Sequence, residues 1–246
     1  MPSSCTSLGY EILSNTSWAK GKSSGTVFLN DILYRNYDIN LLTYTLPSGT
    51  RGIADQAFAN AKLLETIILP ASLITLGYAT FSECESLLSI QFGETNPFYT
   101  ASAGSIYSKD FSKLFLVSPG YVGEYIVESS VKSIEQTAFY SCRKIVKVRL
   151  NDGLITIGVS AFRSCTNLAE INITKTVQHI DNLAFALDTS LLKIYIPINV
   201  VNMGGSVFYS WNGQQEISIE FARRPSSWSQ YCFASSNARL RWNVRV

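Results

Sequence analysis

Two stretches decide the reading: SVKSIEQTAFYSCRKIVKVRL (residues 130–150) and GLITIGVSAFRSCTNLAEINI (residues 153–173). Shifted by 23 residues, they bring Ile134 onto Ile157, Phe139 onto Phe162, Cys142 onto Cys165, Ile145 onto Leu168 and Val148 onto Ile171. Self-similarity at a fixed spacing of this size is the mark of a stacked-repeat protein. The register extends outward from these two copies. Phe residues in equivalent turns stand at Phe58, Phe81, Phe139, Phe162, Phe185 and Phe208, with gaps of 23, 58, 23, 23 and 23. The odd gap is one period plus 35 residues, which predicts a single insertion in a regular array.

Other columns keep the same period. Five residues before each Phe stand Ile53, Leu76, Ile134, Ile157, Ile180 and Met203. Six after it stand Leu64, Leu87, Ile145, Leu168, Leu191 and, out of pattern, Gln214. Nine after it come Ile67, Ile90, Val148, Ile171, Ile194 and Ile217, followed two further on by Leu69, Phe92, Leu150, Ile173, Ile196 and Ile219. Each unit therefore reads L-x-x-I-x-(I/L), a loop, a second extended piece ending in Ile, and an A-F turn. The first piece alternates as a strand with one buried face does. The stretches DQAFANA and DNLAFAL are short, contain Ala and open on Asp, which predicts one or two helical turns. One such unit cannot bury its apolar stripe alone. Stacked at the strand spacing of about 4.8 Å, the columns merge into one core.

The expected fold class is thus α/β: a solenoid of 23-residue repeats with parallel strands on one face and short helical turns, interrupted by β-hairpins. SIYSKDFSKLFLV, within residues 93–127, reads as two strands around a polar turn, and GTVFLNDILYRNYDINLLTYTLP has the same form, Tyr34 matching Tyr107. The expected layout is an N-terminal tail or cap (1–24), then a solenoid over 25–221, then a C-terminal cap (222–246). The solenoid divides into a hairpin (25–46), repeats (47–92), a hairpin insertion (93–127) and repeats (128–221).

Composition bounds the function. Hydrophobic residues make up 46% of the 246-residue chain and charged residues 15%, which argues against disorder. A formal charge of +2 gives no general reason to expect nucleic acid or an anionic membrane as partner. No apolar run reaches the roughly 18–20 residues of a membrane span. The opening residues, MPSSCTSLGYEILSNTSWAKGKSSG, lack the charged start and apolar stretch of a secretory signal peptide. Either the protein is not exported by that route, or the chain begins after the signal.

The motifs LPSGTRGIADQAFANAKLLETIILP, SLITLGYATFSECESLLSIQF and the two opening stretches, with the interposed GSIYSKDFSKLFLVSPG, resemble the BspA-like leucine-rich repeat family over roughly residues 25–221. The terminal RRPSSWSQYCFASSNARLRWNV resembles a segment found after such repeats. The resemblance implies a leucine-rich repeat solenoid in a cell-surface or secreted protein that attaches to host proteins, matrix or other cells. An intracellular structural or scaffolding repeat protein is the alternative.

Between the inward residues of the L-x-x-I-x-I strands lie positions facing the open side, which solenoids commonly use for partners. One row is Thr66, Ser89, Lys147, Glu170, Lys193 and Glu216, and its neighbour is Ile68, Gln91, Arg149, Asn172, Tyr195 and Ser218. Lys147, Arg149, Asn172, Lys193 and Tyr195 are the candidate ligand contacts, against the plainer reading that they are ordinary solvated residues. The terminal segment carries Arg223, Arg224, Arg239, Arg241 and Arg245 and no acid, suited to sulfated glycan, phosphate or an acidic partner. The same segment also reads as a cap, with Trp228, Phe233 and Trp242 covering the last coil. Asn15 and Asn172 begin N-x-S/T sequons.

Catalytic signals are sparse. Cys84, Cys142 and Cys165 share one repeat position with Ala61, Asp188 and Trp211, as buried free thiols would. Cys5 and Cys232 stand at opposite ends, and an odd count without C-x-x-C argues against a disulfide framework or zinc ribbon. The only histidine, His179, is expected in a surface loop. No G-x-S-x-G, Walker A loop or G-x-G-x-x-G occurs. The expectation is a non-enzymatic protein-binding module with no cofactor or metal; a hydrolase using carboxylates that meet across coils is the remaining alternative.

Overall fold

A computed structural model describes residues 24–245. The expected N-terminal tail, with Cys5 and Asn15, lies almost wholly outside the described residues. The chain divides into two compact units, one running to Lys109 and including Ser118–Gly120, the other made of Asp110–Val117 and Tyr121 onward.

In the first unit an antiparallel hairpin, Thr26–Leu29 with Ile32–Asn36, opens a strand row that continues in parallel through Gly52–Ile53 and Thr75–Leu76. A second parallel row holds Thr43–Thr45, Thr66–Leu69 and Ser89–Phe92. A further hairpin joins Tyr99–Ser102 to Ser105–Ser108. The shift that carries Tyr34 to Tyr107, both buried, also carries Thr26–Leu29 onto Tyr99–Ser102.

The second unit repeats the plan at greater length. Its first row stacks Lys113–Val117, Ser133–Ile134, Thr156–Ile157, His179–Ile180 and Asn202–Met203, all parallel. Its second row stacks Gly123–Ile126, Ile145–Arg149 and Glu170–Ile171, then Lys193–Ile196, Glu216–Ile219 and Arg239–Trp242. The short Ile-ending pieces are therefore strands as well, so parallel strands line two sides of each coil. The last coil, Arg239–Trp242 with Phe233, continues the stack into the segment 222–246.

No helix occurs among the described residues, which corrects the α/β class and its helical turns to an all-β solenoid. The backbone bonds around Phe139 give the reason. Thr137, Phe139 and Ser141 donate their N–H groups to Val159, Ala161 and Arg163 of the next coil at 2.8–3.0 Å. The intervening Ala138, Tyr140 and Cys142 donate three residues back, to Glu135, Thr137 and Phe139. A helix would send every interior N–H four residues back and leave none for the neighbour. Two residues per corner take positive φ instead, such as Thr137 (55°) and Ser141 (59°), and the same two positions do so around each of the six Phe. That conformation reverses the chain within four residues without forming a helical turn.

Inside the corner the Phe rings form a stack. Phe139 and Phe162 lie 4.6 Å apart between centroids, Phe162 and Phe185 5.3 Å, Phe185 and Phe208 6.1 Å, and Phe208 and Phe233 6.0 Å, with interplanar angles of 2–23°. Offset stacks of this kind add about 0.5–1.5 kcal/mol per pair beyond area burial. At the Gln214 break, the chain turns Gln215 inward instead, and its Nε2 donates to the carbonyls of Asp188 and Leu191 at 2.9 Å each.

Candidate functional site

The outward face of the second row in the second unit carries the candidate contacts. Side chains at one position alternate in sign from strand to strand: Glu124, Lys147, Glu170, Lys193, Glu216, Arg239. Strand pairing sets Glu124 opposite Lys147, Lys147 opposite Glu170, Lys193 opposite Glu216 and Glu216 opposite Arg239. Opposite charges on facing positions of neighbouring strands attract, and like charges would destabilise the pair.

Lys147 and Arg149 are consequently engaged with their own sheet. Lys147 Nζ lies 2.6 Å from Glu170 Oε1, and Arg149 Nε pairs with Glu124 Oε1. The Arg149 guanidinium holds the Glu124 carboxyl below the usual carboxylate range. Asn172 and Lys193 are exposed. Tyr195 is half-buried, and burial followed by its hydrogen bond to Glu220 raises its hydroxyl above the usual phenol value. Glu220 in turn accepts the Ile198 N–H at 2.9 Å, which with the Tyr195 hydroxyl lowers its carboxyl. Beside this polar ladder runs a column that sequence reading overlooked: Val146, Ala169 and Leu192, all exposed in successive coils. Their shared place seven residues after the Phe was the available signal.

The terminal arginines do not form one cluster of equals. Arg239 and Arg241 project from the last strand, and Arg241 Nε lies 2.7 Å from Glu216 Oε2. Arg224 Nη1 holds the Trp228 carbonyl at 2.9 Å, while Arg223 and Arg245 are exposed.

Cys84, Cys142, Cys165 and Cys232 are buried, and none of them is in a disulfide. Burial pushes the Cys84 thiol up to about 12 and raises those of Cys142 and Cys165, so none is poised as a nucleophile. His179 corrects its expected place in a loop: it sits in a strand, half-buried, with Nδ1 2.9 Å from Asn202 Nδ2. In-register pairing with Thr156 and Asn202 leaves no room for a loop there. Among the described residues no group of three or more His, Cys, Asp or Glu side chains gathers as metal ligands do. No helix of the described residues is long and apolar enough to cross a membrane.

Comparison with protein families bears on these columns directly. The model of the BspA type leucine-rich repeat region, in six copies, matches residues 31–118 and 104–239. The chain belongs to that family. Solved structures resemble this BspA-type chain in fold. The pneumococcal vaccine antigen PcpA superposes with a TM-score of 0.64 at 23% identity, over 84% of this chain and 58% of that one. A leucine-rich cell surface protein of Faecalibacterium prausnitzii gives 0.61 at 22%, over 85% and 62%. A leucine-rich repeat protein of Eubacterium ventriosum gives 0.51 at 21%, over 78% and 46%. The BspA-type chain thus spans less than two thirds of each of these relatives. A search of curated proteins finds no match.

Proposed function

We propose that this BspA-type solenoid is a non-enzymatic protein-binding module of a cell-surface or secreted protein, serving adhesion to a protein partner such as a host or matrix protein. The observation that carries the reading is the contrast between the two sides of the second strand row. Inward positions repeat Ile, Val and Leu from coil to coil, whereas outward ones change among Lys, Glu, Arg, Asn and Tyr. An invariant interior serves the stack, and a varied, solvent-facing strip serves recognition. Surface location is carried over from relatives of the same fold, one named a vaccine antigen and another a cell surface protein. Lys147, Arg149, Asn172, Lys193 and Tyr195 form the proposed contact strip, and the exposed Val146 and Leu192 beside them give it apolar area.

The test is binding of the chain to immobilised fibronectin, laminin and collagen. Replacing Lys147, Arg149, Lys193 and Tyr195 together by Ala should weaken binding at least about tenfold, a loss of about 1.4 kcal/mol, with the fold intact by circular dichroism. Unchanged affinity would remove this strip from the interface, and no binding to any matrix protein would favour the scaffold reading.

A further inference from the structure

In the first unit, one side chain pins the loop between the strands Ser89–Phe92 and Tyr99–Ser102. Asn96 is 1% exposed. Its Nδ2 donates to the carbonyls of Ala71 at 3.0 Å and Leu73 at 2.7 Å, with a longer bond to that of Pro70. Its Oδ1 accepts the N–H groups of Phe98 at 2.7 Å and Tyr99 at 2.8 Å. The Tyr99 hydroxyl donates to the Ile74 carbonyl at 2.7 Å, and its ring lies 6.5 Å from that of Phe92, 14° from parallel. These bonds fix the wall of the loop in advance, so a ligand binding there need not order it.

That wall borders a hollow of about 530 Å³, lined among others by Gln91, Phe92, Glu94, Thr95, Thr100 and Lys109. Small-molecule sites span about 300–1,000 Å³. Hairpin register brings Lys109 there: Tyr99 pairs with Ser108, so Lys109 follows at the end where the loop enters. Elsewhere in this unit opposite charges pair, Arg51 with Asp31 and Lys62 with Glu85. Glu94 and Lys109 share one hollow, yet among the described residues neither enters an ion pair. A lone anion in the hollow would be repelled by Glu94, and a lone cation by Lys109. A ligand with one charge of each sign satisfies both. Thr95 and Thr100 add hydroxyls for a polar group between those charges, and Phe92 offers an apolar surface.

We propose that this hollow binds a free dipeptide, with its ammonium on Glu94, its carboxylate on Lys109, its peptide group toward Thr95 and Thr100, and an apolar side chain against Phe92. A single amino acid carries the same two charges on one carbon and has no peptide group to place between them. The site lies within the first unit and stands or falls separately from the outward strip of the second.

The dipeptide Ala-Phe is the probe, titrated into the whole ¹⁵N-labelled chain and followed by backbone amide shifts. Saturable shifts should centre on residues 91–100 and 109. N-acetyl-Ala-Phe, which lacks the ammonium, and Ala-Phe amide, which lacks the carboxylate, should each bind about three- to fivefold more weakly, as befits exposed ion pairs. Glu94→Gln should erase the preference over the acetylated form and keep the preference over the amide. Lys109→Gln should do the reverse. Both residues are exposed, and a misfolded variant would not lose one preference while keeping the other. Absence of saturable shifts in this segment up to about 20 mM dipeptide overturns the proposal. Equal affinity for all three compounds, or free phenylalanine binding as well as Ala-Phe, overturns it too.

Discussion

Three residues after the core Phe, a side chain reaches back to a carbonyl of the preceding coil. Cys84 Sγ donates to Phe58 O at 3.1 Å, Cys165 Sγ to Phe139 O at 3.0 Å and Trp211 Nε1 to Phe185 O at 2.8 Å. Asp188 holds this position between Cys165 and Trp211. It is fully buried, its Oδ1 accepts the Cys165 N–H at 2.9 Å, and its Oδ2 has no partner. In Cys84, Cys165 and Trp211 this position donates to the carbonyl of the Phe 26 residues earlier, which for Asp188 is Phe162. A carboxylate cannot donate, whereas a carboxylic acid can. Burial raises the Asp188 carboxyl well above the usual range, opposed by the Cys165 N–H, and the Asp188 charge adds to the burial that raises the Cys165 thiol. A raised folded-state value means stability that is fully present below the unfolded carboxyl value of about 4 and lost as pH rises toward the folded value. Urea unfolding should therefore give a falling free energy from pH 4 to neutrality. Asp188→Cys, which restores a thiol, should flatten that slope and add about 1–3 kcal/mol at pH 7. A flat profile for the natural chain, or no gain in the variant, would refute the neutral-acid reading. The shared position of Asp188 with three cysteines was legible in the sequence; its missing partner was not, because burial is a property of the stacked coils.

Strands and corners show how neighbours reassign residues. The period placed Lys147 and Arg149 on the outward face, and the parallel pairing with Glu170 and Glu124 engaged them there. The 23-residue spacing already aligned these charges, so the ladder could have been read by asking which sign stands one period away. Lys147→Glu would place three acids in succession, Glu124, the new glutamate and Glu170. It should cost up to about 1 kcal/mol, and adding Glu170→Lys should recover most of that in a double-mutant cycle. Both side chains are part-exposed, so added salt should shrink the coupling. A coupling of zero at low salt would show the ladder to be energetically idle. At the corner, the Asp-Ala-Phe stretches carry genuine helix-start residues, yet the N–H groups of Thr137, Phe139 and Ser141 are taken by the next coil. Local propensity lost to stacking because it is worth only tenths of a kcal/mol per residue, while each coil offers several new backbone bonds.

On the scale of the molecule, equivalent coils predict tolerance of whole-period change. Deleting Val159–Asp181 joins Gly158 to Asn182 and removes one 23-residue coil while every column stays in register. Such a variant should fold, with a lower unfolding free energy by denaturant titration, as expected where each repeat contacts only its neighbours. A deletion one residue shorter turns inward side chains outward in every strand beyond it and should not fold. Equal stability of the two deletions would contradict the stacked-repeat account. The sequence by itself determined the period, the buried Ile, Leu and Phe columns, the hairpin motifs and the membership these imply. All of these follow from side-chain types recurring at a constant offset. Only the tertiary structure decided that the corners are β-turns and not helices, that Phe233 and Arg239–Trp242 extend the stack, and that Lys147 and Arg149 are already paired. The reason is that each of these depends on what the adjacent coil, about 4.8 Å away, presents to the residue, and periodicity alone does not say which groups that contact will claim.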